Sequence, residues 1–126
     1  MKSAFLIKAR IKSFGYALHG FKVLLKEPNF VIHSTISILV IVLGIYFQIK
    51  KIEWLFLILT IGFVLFVEAI NTSLEYLVDL VSPKYHVLAK KCKDVAAMAV
   101  LLSAITAVLI GGIIFIPYFT TIMRFE

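Results

Sequence analysis

Charge is scarce in this chain. Only 16% of its 126 residues are Asp, Glu, Lys or Arg, while 62% are hydrophobic and the mean hydropathy is +1.05. A water-soluble domain carries about a quarter charged residues and is about half apolar, so a soluble globule is excluded. Cysteine is nearly absent. The single Cys92 rules out an intramolecular disulfide and fits no zinc spacing. The three histidines, His19, His33 and His86, are too scattered for a metal cluster. There is no Walker glycine loop and no protein-kinase signature. Low-complexity stretches and tandem repeats are also missing. Residues 1–26 lack an uninterrupted apolar core and a small-residue cleavage site, so a signal peptide is not expected. The net charge of +6 does not point to nucleic acid. The basic residues lie beside apolar stretches, where they face lipid headgroups.

What is present is long apolar runs. One membrane domain is expected over residues 1–126, all-α, with three transmembrane helices and an N-terminal amphipathic surface helix. In residues 7–26, Ile7, Ile11, Phe14, Leu18, Phe21 and Leu25 recur at steps of three and four. Lys8, Lys12, His19, Lys22 and Lys26 follow one position behind, which predicts a helix lying in the bilayer interface. The spans are expected at about 30–49, 54–78 and 95–119. Lys50–Glu53 forms the tight loop, and the segment from Ser82 to Asp94 forms the longer, charged one. Gly111–Gly112 is a place for close packing or bending, and Pro117 is expected at the fraying end of the third span. Tyr46, Trp54 and Tyr118 read as interface anchors.

Positive charge orients these spans. Ten Lys or Arg fall in residues 1–26 and 84–93, against three on the other side (Lys50, Lys51 and Arg124). That bias predicts a multi-pass protein of the bacterial cytoplasmic (inner) membrane, with its N-terminus and second loop in the cytoplasm, on the side of ATP and Mg²⁺.

The most telling pattern is a line of acids on the second span. At 100° per residue, Glu75 lies about 20° behind Glu68 and Asp79 about 20° ahead of it. Asn71 lies about 60° off that line. Each charge near the membrane centre costs roughly 2.5–3.5 kcal/mol, and such acids are functional candidates. Glu27, just before the first span, and Lys93–Asp94, before the third, come to the same boundary. Hard oxygen ligands suit Mg²⁺ with substrate phosphates. A lysine neutralises phosphate as a point charge, and a deep carboxylate can take a proton from a lipid hydroxyl. Plainer roles stand beside these. The acids can pack against Lys or Arg of neighbouring helices. Asn71 can bridge helices, Asp79 can pair with Lys91 or Lys93, and Asp94 can be a helix N-cap. Residue chemistry alone stops at a membrane site with acids, one amide and a lysine.

The stretch EAINTSLEYLVDLVSPKYHVLAKKCKDVAAMAVLL, Glu68 to Leu102, resembles the signature of the prokaryotic diacylglycerol kinase and undecaprenol kinase family. The family pattern is E-x-x-N-T/S-x-x-E-x-x-x-D, then S-x-x-Y-H, then A-K-D-x-A-A, with Cys92 standing here at the first position of the last motif. Upstream, Arg10, Ser13–Phe14, Ala17, Gly20–Phe21, Glu27, Asn29–Phe30 and His33 also match, so the resemblance covers about residues 8–119. It implies a homotrimeric membrane kinase with active sites shared between protomers. Such a kinase transfers the γ-phosphate of ATP, with Mg²⁺, to a lipid alcohol, either diacylglycerol or undecaprenol. By the same resemblance, Glu68 matches the general base, and Glu27 and Glu75 match the metal-coordinating acids. Asn71, Asp79, Lys93 and Asp94 match polar positions of the active and nucleotide sites. Arg10 matches a basic residue near the nucleotide, and Tyr85–His86 the loop beside it. Two departures stand out: Met98 replaces a residue that is small in many relatives, and Val31 replaces one that is often basic. The pattern near Glu27 and His33 leans towards the undecaprenol branch. The competing readings are a small oligomeric channel or ion carrier, for which intramembrane acids also serve, and a structural subunit, which leaves the acids unexplained.

Overall fold

The computed structural model describes residues 2–122 and, within them, the side chains of residues 7 and 10–121. Arg124 and the side chains of Lys2 and Lys8, used in the charge count, lie outside that description. The described chain is all α-helix: α1 (Lys2–Leu24), α2 (Pro28–Tyr46), α3 (Lys51–Val81) and α4 (Val87–Ile122). Three of the helices, over Pro28–Tyr46, Lys51–Val81 and Val87–Thr121, are long and apolar enough to cross a membrane.

Pro28 occupies the first turn of α2, where its missing N–H costs nothing and its fixed φ favours helix entry. At the other end the chain leaves α2 through a Schellman motif. The N–H of Gln48 donates to the carbonyl of Ile45 and that of Ile49 to the carbonyl of Gly44, both at 3.2 Å. This geometry requires a left-handed residue after the C-cap. Gln48 supplies it, at φ 51°. Gly44 has its own reason: a Cβ there would lie 3.0 Å from the Trp54 ring. The turn then enters α3, where Glu53 Oε2 accepts the Lys50 N–H at 2.7 Å. The hydroxyl of Tyr118 donates to the same oxygen at 2.6 Å, which ties the end of α4 to the start of α3. Around this junction Ile49, Leu57, Ile114 and Phe115 form a buried cluster. Phe47 stands among the rings of Phe115, Tyr118 and Phe119, with centroids 4.8–6.3 Å away. Trp54 and Tyr118, read from the sequence as interface anchors, hold the helix ends together.

Two expected boundaries are corrected. The third span does not begin after Asp94. Helix α4 starts at Val87, so Lys90–Asp94 is helical, Asp94 caps nothing, and the loop shrinks to residues 82–86. Pro117 does not end the helix, which continues to Ile122. Proline removes one backbone donor in a helix interior, and the hydroxyls of Thr120 and Thr121 donate to the Pro117 carbonyl at 3.0 and 2.9 Å.

Inside the spans the hydroxyls satisfy themselves, as lipid demands. Thr35, Ser37, Thr60 and Thr106 each donate to the carbonyl four residues earlier, at 2.7–2.9 Å. Helices α3 and α4 pair along much of their length, and α2 leans on α3. A cleft of about 500 Å³ lies between the second half of α1 and the 69–76 stretch of α3. An edge-on contact between Phe21 and Phe30, centroids 6.0 Å apart, joins α1 to α2.

Candidate active site

Helix length sets the depth of each acid. At about 1.5 Å per residue, Glu68 lies about 26 Å from the Lys51 end of α3, Glu75 about 36 Å and Asp79 about 42 Å. The hydrocarbon core is about 30 Å thick. For an upright α3 whose Lys51 end marks one edge of that core, Glu68 falls near the other edge and the other two acids fall beyond it.

Glu68 is 1% exposed, the most buried charged residue among those described. His33 of α2 faces it, with Nε2 at 3.0 Å from Glu68 Oε1. Among the described residues that oxygen accepts no well-aligned hydrogen bond, so the imidazole touches the carboxylate off the line of its N–H. One turn on, Asn71 Nδ2 donates to Glu75 Oε1 at 3.0 Å, and the buried Asn71 Oδ1 has no partner. Uncompensated polar atoms are costly in an apolar setting. Two of them one turn apart mark a place built for something other than packing.

Glu27 is the N-cap residue of α2, but its side chain makes no capping bond. Its Oε1 instead accepts a short hydrogen bond from the Tyr76 hydroxyl on α3. Tyr76 adjoins Glu75, and so the bond brings Glu27 to the acidic stretch. Each of these two carboxylates gives one oxygen to a protein donor. The second oxygen of each meets no donor among the described residues. The donor set is hard and anionic, as Mg²⁺ prefers when substrate phosphates complete its shell. No group of three His, Cys, Asp or Glu positioned to hold a metal occurs among the described residues, so a metal here would draw on few protein ligands.

A third group lies at the charged loop. Lys93 Nζ is 2.6 Å from Asp79 Oδ1, joining α4 to α3. Of the two lysines expected for that pairing, Lys93 is the one that makes it. Lys90 and Asp94 pair one turn apart at 2.6 Å. With Tyr85 and His86 these residues line an open cleft of about 440 Å³. His86 Nδ1 accepts the Leu88 N–H at 3.2 Å, which fixes the ring at the start of α4. Of the residues singled out from the sequence, Asp79, Tyr85, His86, Lys93 and Asp94 share this cleft, and Glu68, Asn71 and Glu75 follow one another along α3. Arg10 stands apart, exposed on the first half of α1. Sequence reasoning missed Tyr76 and Lys90. The spacing of Lys90 and Asp94, four residues apart, was a usable signal. Tyr76 carried none.

Comparison with known proteins identifies a family. The family model for prokaryotic diacylglycerol kinase matches residues 15–115. An undecaprenol kinase of Bacillus subtilis is 38% identical over 107 residues, covering 84% of this chain and 87% of that protein. A diacylglycerol kinase of Synechocystis is 41% identical over 113 residues, covering 88% of this chain and 65% of that protein. A diacylglycerol kinase of Escherichia coli K12 is 29% identical over 110 residues, covering 86% of this chain and 90% of that protein. The chain belongs to the prokaryotic diacylglycerol kinase family. It is a membrane-embedded lipid kinase that uses ATP as phosphoryl donor, which sets aside the channel, carrier and structural-subunit readings.

Proposed function

We propose that this kinase phosphorylates a long-chain lipid alcohol at the cytoplasmic face of the bacterial inner membrane, with undecaprenol ahead of diacylglycerol as acceptor. The B. subtilis undecaprenol kinase is 38% identical over most of both chains, against 29% for the E. coli diacylglycerol kinase at similar coverage, which supports that order. In this reading the chain works as a homotrimer with active sites shared between protomers. The observation that carries the site is Glu68, a buried carboxylate with an oxygen that, among the described residues, accepts no hydrogen bond and meets only the His33 imidazole.

Glu68 takes the proton as the acceptor O–H bond breaks. The oxygen bonds to the γ-phosphorus, the bond from that phosphorus to the β–γ bridging oxygen breaks, and ADP leaves. Most of the catalytic gain in such transfers comes from positioning and from neutralising phosphate charge. Lys93, held by Asp79, supplies positive charge at the cleft, with Tyr85, His86 and Asp94 around the nucleotide and Arg10 approaching from α1. Glu27 and Glu75 would hold Mg²⁺, with Asn71 orienting Glu75. That ion, when bound, supplies further neutralisation of the phosphates.

The test is transfer of radiolabelled γ-phosphate from ATP by purified protein, with undecaprenol and diacylglycerol supplied side by side. Label in undecaprenol is expected. Label only in diacylglycerol reverses the acceptor order, and label in neither overturns the reading.

A further inference from the structure

The mechanism above leaves His33 unused, although among the described residues it is the side chain that makes an ion-pair contact with Glu68. Its own side chain is 21% exposed, against 2% for that of Glu68. The imidazole therefore stands between the buried acid and open space. That space is an apolar groove of about 300 Å³ enclosed by α2, α3 and α4. The groove begins at His33 and passes Val64, one turn before Glu68, on its way towards Phe115. Ala104, Ala107 and Gly111 on α4 keep it open, and a Cβ at Gly111 would meet nothing within 4 Å. Its wall along α4, residues 104–115, is about 16 Å long. A hydrocarbon chain entering it from the bilayer has its polar end at His33.

We infer that His33 is a positioning residue for phosphoryl transfer: its Nε2–H orients the Glu68 carboxylate towards the acceptor hydroxyl at the head of this groove. This rests on Glu68 as the base. Two features support a positioning role over simple packing. First, an apolar side chain would fill the same space but leave Glu68 Oε1 without a polar neighbour, whereas the imidazole sets Nε2 3.0 Å from it. Second, the imidazole both meets Glu68 and lines the groove, so it stands where the base and a bound acceptor would come together. A small rotation of the imidazole brings the N–H onto the carboxylate, as catalytic hydrogen bonds tighten in the reacting complex. Misplacement of a reacting group by about 1 Å costs about a hundredfold in rate.

The test compares His33→Gln, His33→Leu, Glu68→Gln and the double variant His33→Leu/Glu68→Gln as purified proteins, with ATP and the acceptor that the wild type phosphorylates. Gln places an N–H donor close to Nε2, whereas Leu fills similar space without one. Helicity by circular dichroism and the KM for ATP report the fold and the nucleotide cleft. The expected result is a kcat within about fivefold of wild type for Gln and about a hundredfold lower for Leu, both with the KM for ATP unchanged. The double variant should be no slower than Glu68→Gln alone, because the two residues act as one unit. Leu as active as Gln overturns the inference while leaving Glu68 as base. So does a Leu variant that is lost through misfolding when Gln shows the same hundredfold deficit with its fold intact. A fully active Glu68→Gln overturns both.

Discussion

Glu68 shows how one residue type serves different ends along a single helix. It is buried and offers an unsatisfied oxygen, whereas Asp79, three turns on, has a side chain 63% exposed and is paired with Lys93. The difference follows from surroundings, since Glu68 is buried against His33 of α2 whereas Asp79 is exposed within reach of Lys93. Lys93→Met should raise the KM for ATP about tenfold or more, the value of one charged hydrogen bond, with little change in the KM for lipid. A steady-state titration of both substrates checks this, and an unchanged KM for ATP contradicts it. For the metal, Glu27→Gln is the sharper substitution, because glutamine keeps an acceptor for Tyr76 and removes only the charge. Together with Glu75→Gln it should shift the Mg²⁺ dependence of activity to higher concentration, and wild-type Mg²⁺ curves for both would remove these acids as ligands. The line Glu68, Glu75, Asp79 was legible because helical spacing alone puts the three on one face. The contacts His33–Glu68 and Tyr76–Glu27 were not. They join different helices, and nothing in local spacing records which side chains meet across a bundle.

At the scale of elements, the three spans were legible because uninterrupted apolar runs have few alternatives in a short chain. Their ends were less so. Helix α4 absorbs Lys90–Asp94, since charges with i,i+4 partners are at home in a helix that leaves the bilayer. It also runs through Pro117, because tertiary packing of Phe115 and Tyr118 outweighs one lost backbone bond. The turn after α2 was hidden for another reason. Its left-handed position holds Gln48 rather than the usual glycine or asparagine. An L-residue there costs roughly 1–2 kcal/mol, so Gln48→Gly should stabilise the bundle by about 1 kcal/mol. Thermal unfolding in detergent should show a higher Tm with unchanged turnover, and a lower Tm would mean that the glutamine side chain contributes to the turn. Gly44→Ala should act the other way, since its Cβ would press on the Trp54 ring.

For the whole molecule, apolar surface faces outward on every span; Leu80 and Ile113, for example, are 80% and 77% exposed. Such a surface is stable only against lipid or further copies of the chain, which fits both bilayer and trimer. In the proposed orientation, which rests on the bias of basic residues, the acids lie on the cytoplasmic side. In a Cys92→Ala background, a cysteine at Lys51 should react with an impermeant thiol reagent added outside intact spheroplasts, and one at Lys84 should not. Reaction at Lys84 would put the proposed site on a face without ATP. Buried acid, basic cleft and orientation then combine in one claim, that a lipid hydroxyl gives its proton to Glu68 as it takes phosphate from ATP. The most direct measurement is the turnover of Glu68→Gln in protein that keeps its helicity, its oligomeric state and its KM for ATP. A loss of about 10²–10⁴-fold is predicted, the range for removing a general base. Near-wild-type turnover would contradict the account.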